Sequence, residues 1–326
     1  MEEKTFTGAL EDTRSEELKA KDWKKEVALG NFVEWKEKKF SDVPKYPVRN
    51  QDGSGSCVMQ TCDLMCGIEN LLEEGRFIEF SADLYNYRSN EGGGMIGVEA
   101  LELLRKKGLT LEVLLPSMNL NDTGISKLVR QESDNQIAKI FTIKNYYQSS
   151  FDVDAIATIM ESGRVGKNAK PLMVWFQFPR AEWDSKPDVT NSNYDIVRHS
   201  VTAIEYGMMD GVKGIFIQDS WGLHNSTENG LRFISDEYIK VRMIFCAYVN
   251  DKLNDWQEHP EFVFERTLKV GMKGEDVKEL QKLLGVSVDG IFGKQTLSAV
   301  VSFQKLHGLF IDGIVGPSTL SKLLGN

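Results

Sequence analysis

The run Pro47-Val48-Arg49-Asn50-Gln51-Asp52-Gly53-Ser54-Gly55-Ser56-Cys57 carries a glycine-rich loop into a cysteine at the first turn of an amphipathic helix. Backbone N–H groups at a helix start lack partners and the macrodipole is positive there, so a thiolate is favoured over a thiol. A cysteine nucleophile needs a base, and the base needs a group to orient its other nitrogen. Only four histidines exist; His199 opens the strand-like run His199–Gly207, and Asp219 closes the next one, Gly214–Asp219. Two neighbouring antiparallel strands joined by the Met208–Lys213 turn bring their far ends together, which sets the imidazole beside the carboxylate.

A buried free thiol is the commoner state of a lone cysteine. Cys62 and Cys66 follow Cys57 on the same helix with no paired Cys or His motif nearby, so they read as core residues and no metal site is assigned. Four cysteines are too few for a disulfide scaffold in a chain of 326 residues, and free thiols in a reducing cytosol are the simplest reading. His224 and His259 read as surface histidines, and His307 belongs to the C-terminal module.

These residues need elements to position them. Val58, Met59, Leu64, Met65, Ile68, Leu71 and Leu72 recur at helical spacing over Ser56–Glu74, and Gly75 ends the run. A second helix is predicted over Gly97–Lys107, and a short one over Val153–Glu161. Ile137–Tyr147, Leu172–Phe178, Ser200–Tyr206, Gly214–Asp219, Leu231–Ile234 and Val241–Val249 are short β-branched and aromatic runs between Gly, Asn and Asp clusters. Helices first and strands later argue for an α+β fold. Residues 1–30, rich in Glu and Lys, read as a surface helix or loosely held arm.

From about Glu265 the pattern changes. Val288–Leu297 and Ile311–Leu320 are two versions of one unit, an Asp-Gly turn and a second glycine leading into a helix start. With the helix Glu275–Leu284 they form a small all-α three-helix module. The whole chain holds 39 basic and 48 acidic residues, a net charge of −9, which argues against a nucleic-acid partner. No apolar run is long enough to cross a bilayer, so membrane insertion is not expected. The start Met1-Glu2-Glu3-Lys4-Thr5 has no signal-peptide pattern, which predicts synthesis in the cytoplasm.

In order along the chain, these motifs resemble the papain-like cysteine proteases. Gln51 lies six residues before Cys57, and His199 follows the cysteine at the spacing of that family. The Pro-Val-Arg-Asn-Gln approach, the His-Ser-Val strand, the Asp219-Ser220-Trp221-Gly222 turn and Glu228-Asn229-Gly230 also match, and the likeness spans roughly residues 30–250. It implies a two-lobed fold, a helical lobe plus an antiparallel β-barrel lobe, with the site in the cleft between them. Cys57 would be the nucleophile and His199 the general base and then acid. Asp219 would orient the imidazole, and Gln51 with the Cys57 N–H would form the oxyanion hole. Gly93, Gly94, Ser200 and Trp221 would contact or shelter substrate. The departures are Val58 in place of the usual Trp, Ser54 in place of a disulfide cysteine, and Asp219 where the family usually has Asn. An aspartate beside the imidazolium is expected to raise the histidine pKa.

Residues 268–324 resemble the type 1 peptidoglycan-binding domain, through Leu268–Val277, Leu280-Gln281-Lys282-Leu283-Leu284 and both Asp-Gly turns. The likeness implies a shallow groove, with Asp289, Gly290, Asp312 and Gly313 at the ligand. The expected organisation is an arm at 1–30, a peptidase domain at 31–255, a linker at 256–264 and the binding domain at 265–326. The expected function is a cysteine endopeptidase tethered to bacterial cell wall, with peptide or protein and peptidoglycan as partners and no cofactor. A phage-type lytic or wall-processing enzyme is one form of it, acting at the wall after release or as a phage component. The alternative is a catalytically inert papain-like protein serving as a wall-binding or virion component. Oligomeric state is open.

Overall fold

The structure, a computed structural model, describes residues 8–15, 19, 33–90, 93–222, 228–249 and 267–323. His224, His259, most of the predicted arm and the predicted linker lie outside the described residues. The chain divides into two compact units, Met1–Val129 with Thr142–Leu253, and Arg130–Phe141 with Asn254–Asn326. Residues 130–141, which the sequence places inside the peptidase domain, thus group with the C-terminal residues.

In the first unit, helix α1 (Cys57–Glu74) is followed by α2 (Gly97–Lys107) and the short α3 (Asp122–Ile125). Then come β1 (Tyr146–Gln148), α5 (Val153–Ser162), β2 (Leu172–Pro179), β3 (Ile196–Met209) and β4 (Val212–Gln218). β5 (Leu231–Ser235), α6 (Asp236–Arg242) and β6 (Met243–Val249) complete it; the helix missing from this order, α4 (Glu132–Ala138), belongs to the second unit. The strands form one six-stranded antiparallel sheet in the order β1-β6-β2-β3-β4-β5.

The β3–β4 hairpin is the element that brings His199 and Asp219 together. Asp210 and Gly211 lie between its strands with φ of 55° and 79°, the two left-handed residues that a tight hairpin turn requires. Pairing then runs from Met209↔Val212 to Thr202↔Gln218, which sets Asp219, one residue past β4, toward the His199 end of β3. Both sheet faces are covered. Val201, Ala203, Tyr206, Ile215 and Ile217 join one apolar core with α5 residues such as Ile156 and Met160. Ile204, Phe216 and Phe233 join a second core with Leu64 and Ile68 of α1. Each large aliphatic side chain so buried contributes about 1.5–3 kcal/mol, and together they hold α1 flat against β3.

Two predicted strands are partly helical. Residues 132–138 form α4, because Asp134 accepts the backbone N–H of Gln131 at 2.9 Å, a helix-start bond that outweighs the β-branched content following it. Only Tyr146–Gln148 of that neighbourhood is strand. Val241 and Arg242 close α6, which is capped by Ser235 Oγ on the Tyr238 N–H at 3.2 Å, and β6 starts at Met243.

The second unit contains α4, α7 (Glu275–Leu283), α8 (Lys294–Leu306) and α9 (Pro317–Leu323). Its duplicated turns are built round two buried glutamines. Gln281 Nε2 donates to Asp289 Oδ1 at 2.7 Å, the Ile291 carbonyl at 3.0 Å and Thr296 Oγ1 at 2.9 Å, while its Oε1 accepts the Gly290 N–H at 2.8 Å. Gln304 repeats this with Asp312, the Ile314 carbonyl, Thr319 and the Gly313 N–H.

Candidate active site

Cys57 is the first residue of α1 and is fully buried. A polar seam ties its helix to β3. Thr61 Oγ1, one turn on, donates to the Cys57 carbonyl at 2.9 Å; Ser200 Oγ donates to Thr61 Oγ1 at 3.0 Å, and Thr202 Oγ1 to the Thr61 carbonyl at 3.2 Å. The residue after His199 is thereby tied to the helical turn that begins with Cys57.

His199, also buried, sets Nε2 2.7 Å from Asp219 Oδ1. That carboxylate is held at both oxygens. Oδ1 also accepts the Trp221 N–H at 3.2 Å, and Oδ2 accepts Trp183 Nε1 at 2.8 Å and Arg232 Nε at 2.9 Å. Burial pushes the Asp219 carboxyl upward, but the imidazole's charge and hydrogen bond, then Arg232 and Trp183, outweigh it and hold it well below the ordinary range. The Trp221 ring lies over the imidazole with centroids 4.3 Å apart, and Trp183 meets it edge-on at 5.9 Å.

Gln51 approaches from the loop before α1. Its Oε1 accepts Ser220 Oγ at 2.8 Å and its Nε2 donates to the Ser54 carbonyl at 2.6 Å, which fixes the amide and uses one of its two hydrogens. Gly55 is required by close approach, since a Cβ there would stand 2.6 Å from Tyr85 Oη and 2.7 Å from Gly94 N. Gly93 and Gly94 therefore form the wall beside the loop.

The cleft holds the chain's own N-terminal segment. A Cβ on Gly8 would stand 2.2 Å from Cys57 Sγ and 2.7 Å from the Gly55 carbonyl oxygen. Ala9 is buried and pairs in parallel with Met95: the Met95 N–H donates to the Gly8 carbonyl at 2.8 Å, and the Leu10 N–H to the Met95 carbonyl at 2.9 Å. Glu11 meets Arg198 at 2.9 Å. Burial raises the Cys57 thiol to about 12, a rise that the Ser200 N–H only partly offsets. The thiolate expected from the helix start is thus suppressed in this arm-covered state, because desolvation exceeds what the helix N-terminus offers.

Of the predicted substrate contacts, Trp221 flanks the histidine. Ser200 is buried and bonded to Thr61, and the backbone that pairs with the bound segment is that of Met95, one residue beyond Gly93–Gly94. Asp289 and Asp312 each accept a turn glutamine's Nε2 at Oδ1, and Gly290 and Gly313 donate to the same two glutamines. Trp183, Arg232 and Met95 were not singled out from sequence. An arginine inside the apolar run Leu231–Ile234 was the available signal for Arg232. Cys62 and Cys66 lie in the core, and among the described residues no group of three His, Cys, Asp or Glu side chains is arranged to hold a metal ion.

Among solved structures, the chain is similar to xylellain, a cysteine protease from Xylella fastidiosa, at 17% identity and a TM-score of 0.63, over 76% of this chain and 96% of that one. It is also similar to digestive procathepsin L 3 of the Tenebrio molitor larval midgut (18%, TM-score 0.50, 70% of this chain and 73% of that one). A further match is procathepsin B S9 from Trypanosoma congolense (11%, TM-score 0.52, 76% and 88%). Residues 273–323 match the family described as a putative peptidoglycan binding domain. No curated protein matches the chain. The fold is that of the papain-like cysteine proteases, joined to a C-terminal peptidoglycan-binding domain.

Proposed function

We propose that the protein is a cysteine endopeptidase, directed to bacterial cell wall by its C-terminal domain and described here in a latent, arm-covered form. The observation that carries the reading is the tie of Ser200 Oγ to Thr61, one turn along α1 from Cys57, at 3.0 Å, together with the 2.7 Å His199–Asp219 bond on the adjoining residue. Once the arm leaves, Cys57 regains water and His199 can take its proton. The thiolate adds to the carbonyl carbon of the peptide bond. The Cys57 N–H and the second Gln51 Nε2 hydrogen receive the developing oxyanion, each such donor contributing about 3–4 kcal/mol. The imidazolium returns its proton to the departing amine, and water then hydrolyses the thioester with His199 as base.

Latency follows from the arm's geometry. The Gly8 carbonyl is bonded to the Met95 N–H, so the segment covers the sulfur without offering that carbonyl to the oxyanion donors. A peptidoglycan-binding domain on the same chain raises the local concentration of enzyme at the wall without altering the cleft. The bond cut lies in stem peptides or wall proteins, and a phage-type lytic or wall-processing role fits this pairing of domains.

The test is incubation of the purified protein, with and without its first 14 residues, with intact sacculi and a peptide library. New amine termini that disappear in Cys57→Ala support the peptidase. Sacculus binding without any cleavage by the arm-less protein, with Cys57 open to a small thiol reagent, would establish the inert wall-binding alternative instead.

A further inference from the structure

Asp219 stands behind the histidine where the papain-like pattern usually has a neutral Asn, and a carboxylate there puts a full negative charge in the protein interior. Its surroundings answer that charge. Arg232 on β5 is 2% exposed, and its Nε meets Asp219 Oδ2 at 2.9 Å. Its Nη1 donates to the carbonyls of Trp183, at 3.3 Å, and Asp184. The guanidinium lies over the Trp183 ring, 5.1 Å from its centroid, and Trp183 Nε1 also donates to Asp219 Oδ2. The two oxygens therefore have separate duties: Oδ1 faces the imidazole and the Trp221 N–H, Oδ2 the permanent cation and the indole.

We propose that Arg232 is a positioning and charge-balancing residue for the histidine: with Asp219 it forms a buried pair of no net charge that orients the imidazole as a neutral amide would. The proposal rests on the reading of Cys57, His199 and Asp219 as the proton-handling set. Other titratable groups around the pair are few among the described residues. Cys57 on α1 faces it from across the cleft, and Tyr238 on α6 packs beside Trp183. Glu182 before β3 is satisfied by Arg242 at 2.6 Å and Thr190 at 2.7 Å. Arg198, next to the histidine, is bonded to Gln177 at 2.7 Å and to Glu11. None of these sits within hydrogen-bond distance of Asp219 Oδ2 in place of Arg232.

The physical consequence is a coupling of two sites. Removal of Arg232 alone leaves Asp219 as an uncompensated charge against His199, which favours imidazolium; a bare opposite charge at such range shifts a titration by about 1–3 units. Replacing Asp219 alone by Asn leaves a buried cation without its partner, which is strongly destabilising. Replacing both removes the charge and its counter-charge together.

The experiment is an NMR titration of the His199 ring in Cys57→Ser protein, comparing the starting chain with Arg232→Met, Asp219→Asn and the double variant, together with thermal unfolding of each. His199 is expected to titrate about 1–3 units higher in Arg232→Met and to return to within half a unit of the starting value in the double variant, which also unfolds at a higher temperature than either single one. The same His199 midpoint in Arg232→Met, or a double variant whose losses merely add, would overturn the proposal. If Arg232→Met does not fold, a double variant that does fold supports it, and one that does not overturns it. These readouts need no peptide cleavage, so a protein that shows the coupling and cuts nothing would refute the peptidase reading while leaving the charge balance intact.

Discussion

Only glycine fits where the N-terminal segment crosses the Cys57 sulfur, so on the proposed reading one branched side chain there opens the covered state. In Gly8→Val the new Cβ would lie 2.2 Å from Cys57 Sγ and 2.7 Å from the Gly55 carbonyl, and the second obstacle is backbone that cannot swing aside. Overpacking of this kind costs about 1–3 kcal/mol, occasionally more. The described hold on the arm is of similar size. Its two hydrogen bonds to Met95 contribute about 1 kcal/mol each. The Glu11–Arg198 pair, with side chains 68% and 32% exposed, contributes under about 1 kcal/mol. A substitution that cancels about 2–3 kcal/mol of this hold raises the uncovered population by roughly 30- to 150-fold. The assay is the second-order rate of Cys57 alkylation by an epoxide inhibitor of thiol proteases near pH 6.5, with the labelled residue identified by peptide mass. Gly8→Val is expected to label at least ten times faster than the parent protein. Equal rates would refute the reasoning, since they would mean that the arm does not limit access to the sulfur.

Three further outcomes follow from the same contacts. Gln51→Ala is expected to lower kcat of the arm-less protein by about 100- to 1000-fold with a smaller change in KM, and a loss confined to KM would remove Gln51 from the oxyanion role. Because folding holds the Asp219 carboxyl below its ordinary 3.8, its contribution to stability is complete above about pH 4 and declines as the carboxyl protonates at lower pH. The Tm gap between the parent and Asp219→Asn should accordingly stay level from about pH 6 to pH 4 and narrow below it, and a gap that stays constant down to about pH 2 would contradict the buried ion pairing. In the C-terminal unit, Gln304→Ala leaves the Gly313 N–H and the Asp312 carboxylate without their buried partner, at a cost of about 1–3 kcal/mol; an unchanged Tm for that unit would show that the turn does not depend on the clamp.

The sequence carried the local part of this protein. A glycine-bounded apolar repeat was enough to predict α1 with Cys57 at its start, and two β-branched runs joined by the Met208–Lys213 turn were enough to predict the β3–β4 hairpin and hence the meeting of His199 with Asp219. Both are short-range consequences of helical spacing and turn geometry. The duplicated Asp-Gly motif was equally visible, but the internal bond each carboxylate makes to a buried glutamine eight residues away was not.

Tertiary structure alone decided what depends on desolvation and on contacts across long separations in sequence. Helix position argues for a thiolate at Cys57, yet packing removes the water that would stabilise it. An aspartate beside a histidine reads as a lone counter-charge, yet Arg232, thirteen residues further on, reaches the other oxygen of the same carboxylate. Gly8, 49 residues before the cysteine and in a stretch of no evident pattern, lies on its sulfur. Backbone periodicity is written residue by residue along the chain, whereas the field and solvent access at a buried atom are sums over everything the fold brings round it, which is why the sequence could name the candidate groups and only the folded chain could say what surrounds them.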